Sequence, residues 1–154
     1  MAVDHAPSLP PSLTHWPGYL MTFIAERAAE RFERALHHEG IRVRHASVLV
    51  LIDAEGPMSQ RALGRRLRID KSPMVGVVDD LERLGLAERR RRDGDRRVQA
   101  IHLSDAGRAL ATRIQRVADE LNESLFAPLD DAQRAQLQAL LLRVADALAL
   151  PGER

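Results

Sequence analysis

The chain contains no cysteine, which excludes disulfides, thiolate metal ligands and thiol redox sensing. Aromatic residues make up only 3% of it, so Leu, Val, Ile and Ala must build most of any core. No apolar run is long enough to span a bilayer. The first twenty residues carry Asp4 and prolines 7, 10, 11 and 17, without the basic start and apolar stretch of a signal peptide. A cytoplasmic location with no membrane partner is the expectation. The sequence also lacks the G-x-S-x-G, H-E-x-x-H, G-x-G-x-x-G and G-x-x-x-x-G-K-[ST] patterns of common catalytic and nucleotide sites, so an enzyme is not expected. Glu33 and His37 stand four residues apart with His38 beside them. A solvated helix end, where His complements the helix dipole, accounts for them, and no metal is assigned.

What is present is unevenly distributed. The 45% hydrophobic and 29% charged content is that of an ordinary globular chain, and 154 residues fit one domain with or without appended helices. Between Ser59 and Leu103, however, twelve Lys and Arg face seven Asp and Glu, a local charge of +5. With +1 overall, the remainder carries −4. Such asymmetry suggests one part that meets a polyanion and another that does something else.

The spacing of apolar residues gives an order of elements. Residues 1–11 are Pro-rich and expected to be a flexible N-terminus. A first helix fits from about Ser12 to His38, with Leu20, Ile24, Ala28, Phe32 and Leu36 spaced by four. Arg44–Ala54 is apolar on nearly every side and fits a buried strand or a buried helix. Helix is preferred because the run leads through Gly56-Pro57 into two further helical patterns. Ser59 caps Gln60–Leu67, and Asp70 or Ser72 caps Lys71–Leu84, where Met74, Val77, Val78, Leu81 and Leu84 form the inner stripe and Gly85 the stop. Ala87–Arg92 and Arg97–Leu103 read as strands around an Asp93-Gly94-Asp95 turn. Ser104 caps a long helix that Pro128 interrupts, and Asp130 with Gln133 resembles a capping box for a last helix. The expected fold is mainly α: a winged helix-turn-helix with a two-stranded wing over residues 44–104. Helices at 12–43 and 105–154 flank it. Their apolar stripes exceed what so small a domain can bury, which points to dimerisation through both ends.

That order is the one a winged-helix DNA reader requires. The outward N-terminal residues of the Lys71 helix, namely Lys71, Ser72, Pro73, Val75 and Gly76, would meet the major groove, with Arg61 on the preceding helix. Ser72 can donate to a phosphate or base, Val75 can touch a thymine methyl, and Gly76 permits close backbone approach. Asp79 and Asp80 follow on the same helix and should face internal arginines or point away from DNA. Six arginines surround the wing turn, at positions 89–92, 96 and 97. They suit the negative potential of a narrow A·T minor groove, with Arg92, Arg96 and Arg97 nearest the tip. Asp95 stands one residue from Arg97, so its carboxylate can brace that guanidinium. The alternative for the helix is a plain amphipathic helix in an all-α core, and for the arginines a solvated charge run.

Ser72, Val78, Asp79, Leu81, Glu82, Gly85 and Leu86, then Asp95, Arg97, Leu103, Ser104 and Gly107, make this chain resemble the MarR family of bacterial transcription regulators. Pro17-Gly18-Tyr19-Leu20 resembles the opening of that family's first helix, and the similarity runs from about 17 to 148. The resemblance implies a homodimer bound to a pseudo-palindromic operator in double-stranded DNA, usually a repressor released by a small ligand. It makes Arg97 the wing-tip arginine of the minor groove, Asp95 its brace, and Ser72 a base or phosphate contact. The chain departs from the family at Val75 and Gly76, where Thr or Ser and Arg are frequent. Family effectors are often aromatic acids or phenols, for which His15, Trp16, Tyr19, Phe23 and His45 could line a pocket. Trp16 and Tyr19 equally suit dimer-interface packing. No cofactor is expected beyond such an effector. Two other functions fit the residues: a non-specific architectural DNA binder, and a helical protein-interaction module whose hairpin arginines meet an acidic partner.

Overall fold

The computed structural model describes residues 9–92 and 95–148, and their side chains except at positions 92 and 95–98. Elements run in the order α1 (Pro17–His37), α2 (Val43–Glu55), β1 (Met58–Ser59), α3 (Gln60–Leu67), α4 (Lys71–Arg83), β2 (Ala87–Arg92), β3 (Asp95–Leu103), α5 (Asp105–Leu125) and α6 (Asp131–Leu148). The fold is the expected mainly helical one with a small antiparallel sheet, and the run from 43 to 55 is a helix. The chain divides into two compact units, Met1–Ala118 and Asp119–Arg154.

The first helix begins five residues later than the sequence pattern suggests. Residues 11–15 form turns, and Trp16, immediately before Pro17, is extended at φ −99°, ψ 109°. Proline clashes with a helical predecessor but suits the first helical position, where its missing N–H has no acceptor to lose. Pro17 therefore starts α1 rather than sitting inside it. The wing also has a third strand. Met58 pairs with Ile101 and Ser59 with Ala100, so β3 lies between β1 and β2. The two-residue β1 is too short to show alternation in sequence. Strand β3 starts at Asp95 rather than Arg97, with a register irregularity between Arg91 and Arg92. Residues 93 and 94 of the expected turn lie outside the described residues.

In the first unit, Ala46, Val48, Leu49 and Ile52 of α2, Leu63 of α3, Met74, Val77, Val78 and Leu81 of α4, Ile101 of β3, and Leu110 and Ile114 of α5 form one buried cluster. Aliphatic side chains supply it, as the shortage of aromatics requires. Gly85, at φ +69°, ends α4 in a conformation other residues rarely adopt. The next turn is joined tightly to α5. Ser104 Oγ donates to the Gly85 carbonyl at 2.7 Å and accepts from the Gly107 N–H at 3.0 Å. The Ser104 N–H donates to the Leu86 carbonyl at 3.1 Å. A Cβ on Gly107 would lie 2.0 Å from that same carbonyl oxygen, so only glycine fits. Arg113 of α5 holds Glu39, just beyond α1, through two bonds of 3.2 and 3.1 Å.

In the second unit the expected capping box at the start of α6 is formed reciprocally. Asp130 N–H donates to Gln133 Oε1 at 3.0 Å and Gln133 N–H to Asp130 Oδ1 at 2.8 Å. Arg134 Nε donates to the carbonyls of Phe126 and Leu129 and so closes the turn around Pro128. No residue of α6 is buried, and Leu140, Leu141, Leu142, Val144 and Leu148 are exposed. No helix among the described residues is long and apolar enough to cross a membrane.

Candidate nucleic-acid interface

Helices α3 and α4 form the helix-turn-helix, and the turn between them is backbone-driven. Ser59 caps α3, its Oγ accepting from Ala62 N–H at 3.2 Å. Arg68 closes α3 in the left-handed region at φ 52°, ψ 42°, and Ile69 N–H donates back to the Gly64 carbonyl at 2.9 Å. A Cβ on Gly64 would lie 2.9 Å from the Ile69 carbonyl oxygen, so this glycine is what lets the turn close. Asp70 then stands at the N-cap of α4 without a side-chain cap bond. Pro73 falls in the first turn, where an amide is not needed.

The apolar stripe of α4 (Met74, Val77, Val78 and Leu81) is buried in the core, whereas Leu84, expected on it, stands at the helix C-cap and is exposed. Lys71, Ser72, Pro73, Val75 and Gly76 are therefore turned outward together, and Arg61 is exposed on α3. The acidic residues of α4 each have a cationic partner. Asp79 Oδ1 accepts from Arg89 at 2.7 Å, and Asp80 Oδ1 from Arg83 at 2.7 Å. The Arg83 hydrogen bond holds the Asp80 carboxyl below its ordinary pKa, against a smaller opposing effect of desolvation, with His45 assisting.

Arg89 is a node that the arginine-rich run conceals in sequence. Strand faces alternate, so Arg89 turns toward α4 while Glu88 and Arg90 turn to the other face. Its guanidinium reaches Asp79, Glu82 and Gln60 Oε1 (3.2 Å), and its backbone N–H donates to Glu82 Oε1 at 2.7 Å. Burial disfavours its charge, yet Asp79 and Glu82 more than offset this and raise its pKa. One side chain thus ties β2 to both helices of the helix-turn-helix. Arg91 is exposed, whereas the side chains of Arg92, Asp95, Arg96 and Arg97 lie outside the described residues.

Within one chain the five candidate ligand residues do not form one pocket. His15 and Trp16 lie with their rings 4.7 Å apart and tilted by 57° before α1, Tyr19 and Phe23 follow on its first turns, and the Arg27 guanidinium sits 5.5 Å from the Phe23 ring centroid. His45 lies beyond the other end of α1, a helix roughly 30 Å long at 1.5 Å per residue. It is buried, its Nδ1 accepting from Arg42 N–H at 3.0 Å, which leaves Nε2–H to donate to Asp80 Oδ2 at 3.3 Å. This histidine braces α2 against α4. A cavity of about 510 Å³ lies elsewhere, lined by Ile52, Pro57, Glu88, Arg90, His102 and Arg108 among others. Its arginines are paired, Arg90 with Glu88 and Arg108 with Asp105. Among the described residues no three His, Cys, Asp or Glu side chains come together as a metal set.

Comparison with known proteins agrees with this architecture. Residues 39–98 match the model of the MarR family. The chain is 32% identical over 106 residues to a putative transcriptional regulatory protein for the hcr operon of Thauera aromatica. That alignment covers 69% of this chain and 64% of the relative, so the chain spans under two thirds of the relative's length. A probable transcriptional regulator from Pseudomonas aeruginosa superposes with a TM-score of 0.75 at 30% identity, covering 86% of this chain and 98% of that one. CouR from Rhodococcus jostii RHA1, solved bound to p-coumaroyl-CoA, superposes with a TM-score of 0.79 at 28% identity, covering 92% and 100% respectively.

Proposed function

Because the chain belongs to the MarR family of winged-helix transcription regulators, we propose that it binds a pseudo-palindromic operator as a homodimer and represses transcription until a small ligand releases it. The observation that carries this reading is the outer face of α4. Five residues free of core packing (Lys71, Ser72, Pro73, Val75 and Gly76) stand together, while the carboxylates further along are neutralised by Arg83 and Arg89. A helix of this kind can approach a phosphate-lined groove without repulsion, and recognition helices read bases through their N-terminal residues. Arg61 serves the phosphate backbone. Arg92, Arg96 and Arg97, with Asp95 as the brace of Arg97, serve the minor groove. The reading makes the protein a regulator rather than an enzyme.

Dimerisation is supported by the exposed apolar residues of α6 and, separately, by exposed Trp16, Met21 and Ile24 at the start of α1. A second copy is the natural cover for such stripes. His15, Trp16, Tyr19 and Phe23 then serve that interface or an aromatic effector bound beside it, and the similar protein CouR is solved bound to an aromatic acyl thioester, p-coumaroyl-CoA. His45 acts as a structural brace in this reading. The test is binding to a duplex carrying palindromes from the protein's own promoter, against a scrambled duplex, at two salt concentrations. A preference that survives the higher salt is expected. Equal and salt-sensitive binding would leave an architectural role, and no binding to either would move the arginines to a protein partner.

A further inference from the structure

Two glycines lie in helix interiors on either side of the turn, and they differ in kind. Gly64 is required by the fold, since a Cβ there meets the Ile69 carbonyl oxygen at 2.9 Å. Gly76 is not: a Cβ there meets no heavy atom within 4 Å. Glycine within a helix is destabilising relative to alanine, so the fold gains nothing from Gly76 and loses some stability by it. The empty space is on the outward face of α4, beside Val75, which is 36% exposed. Neither side chain can form a hydrogen bond. The one apolar group that a base edge presents in the major groove is the thymine methyl. Asp79, one turn on from Val75, is engaged by Arg89 at 2.7 Å, and the polar neighbours one turn before are Lys71 and Ser72.

Resting on the function proposed above, we infer that Val75 and Gly76 form a close-approach surface that reads a thymine methyl in each operator half-site. Gly76 lets the backbone approach the base edge, and Val75 packs on the methyl group. Sequence is read there by van der Waals contact rather than by hydrogen bonding.

The experiment uses a duplex that the full-length protein selects from a random-sequence pool. Each thymine is replaced in turn by 2′-deoxyuridine, which keeps base pairing and removes only the methyl. One thymine per half-site is expected to lose about fourfold in affinity on replacement, the value of one buried methyl-sized group. That loss should vanish in Val75→Ala. Gly76→Ala should raise Tm by about 2–4 °C and weaken binding to the selected duplex at least tenfold. The inference is overturned if no uridine costs affinity, if Gly76→Ala binds as wild type, or if it lowers Tm. In each of these cases the preference of the wild type for its selected duplex would leave the operator-binding reading standing. Absence of any preference would end both.

Discussion

Helices α4 and α6 both carry apolar residues at helical spacing and treat them in opposite ways. In α4 Met74, Val77, Val78 and Leu81 are each at most 7% exposed, whereas in α6 Leu140, Leu141, Val144 and Leu148 range from 38% to 76%. The first helix is completed by its own chain. The second displays an apolar surface that water disfavours. An amphipathic pattern thus specifies that a face will be covered, but not by which molecule.

Breaking this contrast should have graded effects. Leu81→Ala removes a fully buried side chain from the centre of the first unit and should cost about 2–5 kcal/mol in urea-induced unfolding, independent of protein concentration in its core contribution. Leu141→Glu places a charge on the uncovered stripe. For the proposed dimer, it should raise the dissociation constant at least tenfold in sedimentation equilibrium, while far-UV circular dichroism at high concentration stays unchanged. An unchanged constant would remove α6 from the interface. Smallest is Arg113→Ala, which frees Glu39 at the surface of the first unit. The Arg113 hydrogen bond holds the Glu39 carboxyl below its ordinary pKa, outweighing the upward push of partial burial. The pair therefore stabilises the fold above the ordinary glutamate range and ceases to do so as pH falls through the lowered value. Wild type and variant should differ by at most about 2 °C in Tm at neutral pH, given the exposure of the pair, and converge in acid. A difference that persists in acid would assign the effect to packing of the arginine stem.

The local signals were readable in the residues themselves. Ser59, Ser104 and the Asp130–Gln133 pair cap the helices they precede in sequence, because capping depends on neighbours three residues away. Pro17 was equally local: the apolar spacing begins only at Leu20, and the expected start near Ser12 passed over the proline that begins the helix. The long-range pairings were of another kind. Nothing near His45 announces Asp80, thirty-five residues on. Among six arginines, only strand alternation could have singled out Arg89 as facing α4, and its partners Asp79, Glu82 and Gln60 are set by the tertiary fold. The two-residue β1 pairs with a strand some forty positions later and has no pattern of its own.

The Ser104 hydroxyl has a mechanical consequence. It bonds the carbonyl that ends α4 and the first turn of α5 at once, while Gly107 rests directly on the Leu86 carbonyl. Glycine at 107 and the short Ser104 side chain leave the turn at residues 85–86 and the first turn of α5 in direct contact, so neither can shift without breaking a bond to the other.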